Sequence, residues 1–164
     1  MTLQEAAQQA EELEAAGDER GLATLRQQWD EELEHAVLNA DYRVRAHAYR
    51  AIAQFRFRQK LELVRRGLQD ESPAARGSAL IALEALSRDH PGDVNGMRAM
   101  LHELASNDPN MAVRRLAIVC LKNGSAQRET ILILNGLADD DEQEADLRKT
   151  AKAVAAALTK KSRS

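Results

Sequence analysis

Asp108-Pro109-Asn110-Met111-Ala112-Val113-Arg114-Arg115-Leu116-Ala117, continued by Ile118-Val119-Cys120-Leu121, is the stretch that decides how this chain folds. Val113, Ala117, Cys120 and Leu121 stand at i, i+4, i+7 and i+8, which puts them on one face of an α-helix. The acidic residue and proline in front form a helix entrance. A side-chain oxygen can accept the unpaired N–H groups of the first turn, and proline brings a preset φ with no N–H to satisfy.

The same pattern occurs three more times. Val44-Arg45-Ala46-His47-Ala48 is followed by Ala51-Ile52, Ala75-Arg76-Gly77-Ser78-Ala79 by Ala82-Leu83, and Leu147-Arg148-Lys149-Thr150-Ala151 by Val154-Ala155. Each reads apolar, Arg, two variable residues, Ala, two variable residues, then a small or apolar pair. Asp41, Asp70, Asp108 and one of Asp139 to Asp141 precede them, and the arginines are spaced by 31, 38 and 34 residues. A period in the thirties marks a helical repeat whose units bury their apolar faces against one another. The central residue is alanine in all four, which lets another helix backbone approach closely.

Partner helices are expected at about 21–39, 57–69, 94–106 and 126–138, carried by stripes such as Leu61, Val64 and Leu68. A first helix, about 3–16, has Leu3, Ala6, Ala7, Ala10 and Leu13 on one face and acids elsewhere, which suits the cap of a stack. The expected organisation is one domain over 1–164. It comprises an acidic capping helix (1–18), four helix pairs (19–158) and a basic tail (159–164).

The third segment closely follows the second-helix pattern of the HEAT family, Asp-Pro-x-x-x-Val-Arg-x-x-Ala-x-x-Ala-Leu, and the chain resembles that family over about residues 21–158. The second segment keeps Asp70, Pro73, Arg76 and Ala79 with Ala75 in place of Val; the first keeps Asp41, Val44 and Arg45 without the proline; the fourth diverges most. The resemblance implies an all-α, right-handed solenoid of about four helical hairpins. It also implies a role as scaffold or adaptor, and a ladder of turn aspartates and repeat arginines joining neighbouring hairpins. On that pattern Asp41, Asp70 and Asp108 with Arg45, Arg76, Arg114 and Arg148 are structural, aligning the stack more than stabilising it.

Composition agrees with helix and excludes much else. Good helix formers dominate, and aromatic residues are only 3% of the chain, too few for a sheet core. Cys120 is the one cysteine, so no internal disulfide forms; it fills the slot of Ala51, Ala82 and Val154 and reads as a small buried residue. His35, His47, His90 and His102 lack ligand spacing, and the acids from Asp139 to Asp146 lack the glycine of a calcium loop. No Gly-rich phosphate loop or nucleophile elbow is present. The expectation is a non-enzyme with no cofactor and no metal. The Met1–Glu5 segment has no basic or apolar leader character and no apolar run could span a bilayer, so the expected setting is cytoplasmic, with no membrane partner.

Charge is unevenly spread. Residues 1–40 hold ten acids and two bases, whereas residues 42–69 hold eight bases against Glu62 alone. All five aromatics, Trp29, Tyr42, Tyr49, Phe55 and Phe57, also fall early. Two readings stay open. Either the acidic first helices cover the basic segment, with Trp29 and Phe55 in the core, or the segment is a recognition surface, since Arg, Tyr and Trp favour interface anchors. The second reading makes Arg43, Tyr49 and Arg50, with Arg115 and Lys122 at later second helices, the candidate residues for a protein partner bearing acidic and apolar groups. Its alternative is nucleic acid bound through residues 42–69, as in the DNA glycosylase-like branch of the resembled family. The overall charge of −3 disfavours that alternative.

Overall fold

The computed structural model describes residues 1–164, all of them in helices or the short connections between them. Two compact units emerge, Met1–Leu86 and Ser87–Ser164. The first contains α1 (Leu3–Ala15), α2 (Glu19–Ala36), α3 (Tyr42–Gln54), a 3-10 turn (Arg58–Lys60), α4 (Leu61–Gly67) and nearly all of α5 (Pro73–Ser87). The second contains α6 (Pro91–Asn95), α7 (Arg98–Asn107), α8 (Met111–Leu121), α9 (Arg128–Asp139) and α10 (Ala145–Ser162).

Helices pack as hairpin-like pairs within each unit. In the first, α1 lies against α2 and α3, and α3 meets α4; in the second, α7 pairs with α8 and α9 with α10, which also packs on α8. The four repeat alanines, Ala48, Ala79, Ala117 and Ala151, are each 0% exposed, so the register read from the sequence is the packing register. Around them the first unit buries Leu22, Leu33, Ile52, Phe55, Val64 and Leu83, and the second buries Leu101, Ile118, Leu121, Leu134, Leu147 and Leu158.

Side-chain caps start the helices where small polar residues stand. Thr2 accepts the Glu5 N–H, Asp18 that of Gly21, Asp41 that of Arg43 and Asn110 that of Val113. The third repeat differs from expectation here. Asn110 is the cap of α8, so Pro109 lies one residue before it, outside the first turn. Two partner helices are also shorter than the stripes suggest: 57–69 breaks into a 3-10 turn and the seven-residue α4, and 94–106 divides between α6 and α7. The basic residues after 158 are no loose tail. α10 continues through them, and Lys161 Nζ donates to the carbonyls of Lys122 and Gly124, both at 2.9 Å, where α8 ends and its dipole welcomes a cation.

Left-handed backbone ends two helices. Gly17 (φ 72°) follows α1 at no steric cost, but the residue after the C-cap of α3 is Arg56 (φ 53°). There the Phe57 N–H reaches the Ile52 carbonyl and the Arg56 N–H that of Ala53, a Schellman closure with arginine in the glycine position.

A tight seam joins α4 to α5. A Cβ built on Gly67 would lie 2.8 Å from the Ala79 Cβ and 2.9 Å from the Tyr49 ring. Gly67→Ala, which improves intrinsic helix propensity, is therefore expected to lose about 1–3 kcal/mol by overpacking, and Ala79→Leu a similar amount. Urea unfolding measures both; a neutral or stabilising Gly67→Ala would show the seam to be looser than this.

Candidate functional site

The surface around α3 carries most of the candidate residues, and its geometry sorts them. Tyr49 is only 4% exposed, with its ring packed at Gly67 and Ala79. Burial pushes its phenol up from the ordinary value, and the neighbouring Asp70 carboxylate adds to this. Tyr49 is thus an internal contact rather than a surface anchor. The expectation failed because a face that is polar in one repeat and apolar in the next can be buried by a local neighbour, here the backbone of Gly67. Arg43 is exposed but bound locally, 3.2 Å from Asp41 and over the Tyr42 ring. Arg115 pairs with Glu144 at 3.2 Å and with Asp146 at 3.7 Å. Lys122 is exposed at the end of α8. Arg50 is exposed on α3 and pairs with no carboxylate, beside open grooves it shares with Glu11 and Gln54.

The basic segment is largely neutralised within its own unit. Lys60 bridges Asp30 and Glu34 of α2, and Arg56 approaches Glu14 of α1 at 3.7 Å. Arg65 pairs with Glu62, and Arg45 with Asp70. Arg26 from α2 donates to the Phe55 carbonyl at 2.7 Å, closing the end of α3. Phe55 is fully buried and Trp29 half-buried. Acids of the first two helices thus meet Lys60 and Arg56, whereas Arg43, Arg45 and Arg65 pair with acids outside α1 and α2.

The repeat arginines make three different arrangements. Arg45 forms a bidentate pair with Asp70 of the next turn, Nε to Oδ2 at 2.8 Å and Nη2 to Oδ1 at 2.9 Å. Its Nη1 donates to the carbonyls of Asn39 and Ala40. Asp41 does not face Arg45; it caps α3 and holds Arg43. Arg114 meets no carboxylate. Its Nε donates to the Ala105 carbonyl and its Nη1 to the Gln143 amide oxygen, whose own Nε2 reaches Asp140, while its Nη2 is buried without a partner. Arg76 donates to the carbonyls of Asp70 and Glu71, Asp108 accepts the Asn110 N–H, and Arg148 reaches the Ala138 carbonyl and, at 3.7 Å, Asp141.

One polar cluster has no counterpart in the repeat pattern. Arg98, 7% exposed, donates to Thr130 Oγ1 at 2.9 Å, to Asn95 Oδ1 and to Ser125, while His102 Nε2 lies 2.8 Å from the same Thr130 hydroxyl. Burial pushes both Arg98 and His102 below their ordinary values. The sequence held a signal, since Arg98 falls at i with Leu101 at i+3 and Ala105 at i+7, a cation on the buried stripe. Its partners are neutral and satisfied, which suits a cross-brace between α7 and α9. No group of three or more His, Cys, Asp or Glu could hold a metal ion, and no helix is long and apolar enough to cross a membrane.

Arg45 holds the Asp70 carboxyl below the usual carboxylate range, against the opposing pull of burial. A group lowered on folding contributes stability that is complete above its unfolded value, about 4, and lost as pH falls through the folded value. Asp70→Asn is expected to cost on the order of 3 kcal/mol at neutral pH, because it leaves Arg45 buried without its counter-charge. The gap to wild type should narrow on acidification below about pH 4. Urea midpoints across that range measure it, and a gap independent of pH would refute this account.

No curated protein matches the chain. Residues 31–103, from the second half of α2 into α7, match the family model for HEAT repeats, so this part of the chain is similar to them in sequence as it is in helix pairing.

Proposed function

We propose that the chain is a non-enzymatic protein-binding scaffold that uses the exposed side of its second helices, with Arg50 of α3 as its principal anchor. HEAT repeats generally serve as protein-interaction scaffolds, which supports the class but no particular face. One observation carries the choice of face. Arg50 is an exposed cation with no carboxylate in ion-pair contact, as is Arg66 of α4, in a segment where Lys60, Arg45, Arg56 and Arg43 all have one. In the second unit Lys122, at the end of α8, is an exposed cation, whereas Arg43 and Arg115 must leave their carboxylates to engage a partner. The same neutralisation counts against nucleic acid, which needs several bases free to replace counterions.

The reading separates Arg50 from Tyr49. Arg50→Glu is expected to keep the helical circular dichroism and melting temperature of wild type, within about 0.5 kcal/mol, as surface changes do. It should lose partners recovered by cross-linking from the native cell. Tyr49→Ala should instead unfold the first unit more readily, by about 3 kcal/mol, through the cavity it leaves. Full partner recovery with Arg50→Glu would reject the anchor.

A further inference from the structure

α9 is buried at only two residues, Thr130 and Leu134, so the way Thr130 is held bears directly on how firmly the helix is seated. Its hydroxyl behaves unlike those of the other helical threonines. Thr24, Thr150 and Thr159 each donate back to the carbonyl four residues earlier. Thr130 does not. Its oxygen lies 2.9 Å from Arg98 Nη1 and 2.8 Å from His102 Nε2, both on α7. A guanidinium can only donate, so the oxygen accepts from Arg98 and its own hydrogen is left for the lone pair of His102 Nε2. That arrangement needs a neutral imidazole with its proton on Nδ1.

Protonation undoes it in two ways. An imidazolium has no lone pair to offer, so a hydroxyl with 0% exposure loses its acceptor. It also places a second cation beside Arg98, whose hydrogen-bond partners are the neutral Thr130, Asn95 and Ser125. The charged groups that act on His102 are Arg98, one turn earlier on its own helix, and Glu129, exposed in the first turn of α9. The geometry points to a pH-operated latch: neutral His102 fastens Thr130 and α9 to α7, and its protonation releases them and loosens the second unit. Burial holds the imidazole below its ordinary value, against the pull of Glu129 and with the help of Arg98. A histidine lowered on folding leaves stability complete above its unfolded value, about 6.5, and lost as pH falls from there through the folded value. The Asp70 carboxyl of the first unit acts only below about pH 4, so the two units answer to acid in separate windows. The latch is independent of which face binds a partner.

Nitrogen-15 NMR of the imidazoles in the full chain reads the first step. At neutral pH His102 should carry its proton on Nδ1 with Nε2 bare, and amides of α7 and α9 should shift with the His102 midpoint on acidification. A proton on Nε2 at neutral pH overturns the latch. His102→Gln offers an amide oxygen as acceptor and cannot titrate. Its urea midpoint should therefore hold level from about pH 7 to about pH 5 while that of wild type falls. Parallel curves for the two proteins overturn the latch. Thr130→Val keeps the side-chain shape but removes the donor to neutral His102, so it should raise the His102 midpoint by about half a pH unit or more. A midpoint that stays where it is in wild type shows that the hydroxyl does not hold the neutral ring, and overturns the latch as well.

Discussion

Each of the four second helices turns an alanine with no exposed surface toward its neighbours, and the space that an alanine leaves is the constraint on which the packing depends. Helix axes approach as closely as the side chains at the contact allow. With Ala48, Ala79, Ala117 and Ala151 at the contacts, the larger residues Ile52, Leu83, Ile118 and Leu158 can interlock beside them rather than hold the helices apart. At Gly67 even a methyl group is excluded, and it is there that Tyr49 lies down.

Buried charge is handled differently in the two units. Arg45 meets Asp70 with two parallel hydrogen bonds, and both side chains are about nine-tenths buried. A pair like this contributes modestly to net stability because desolvation offsets most of the attraction, but losing one member exposes the full penalty. Arg114 has Gln143 where its homologue has a carboxylate and keeps one nitrogen without an acceptor. The same repeat position therefore serves as a firm tie in one place and a looser, relayed one in the other. Neutral brackets around Arg98 take up part of the role in the second unit, joining α7 to α9 through Thr130.

The fold was legible because its signals are local. Apolar spacing, a central alanine and acidic caps all act within one or two helical turns, and Asp18, Asp41 and Asn110 cap the helices they precede. What the sequence obscured depends on distant neighbours. Tyr49 looked like a surface aromatic because its own helix pattern left it off the stripe; it is buried, with Gly67, eighteen residues on, among the groups its ring packs against. Arg50, its neighbour, is exposed, a point the sequence left open. Arg56 and Lys60 were counted in a basic surface although each reaches back to α1 or α2, a contact that charge totals along the chain suggest but cannot assign. Breaks in the partner helices, as at the 3-10 turn Arg58–Lys60, were equally invisible to a stripe that continues through them.

Cys120 gives this architecture its own clock. The thiol is fully buried on α8, against the helices that pair with it, and it is the only sulfhydryl in the chain. A reagent in solution can attack it only in molecules whose helices have parted, because reactivity needs an accessible thiolate. The rate at which a thiol probe consumes the protein in the absence of denaturant therefore counts openings of the second unit. The first unit, which has no cysteine, stays silent, so one natural atom separates the motions of the two halves.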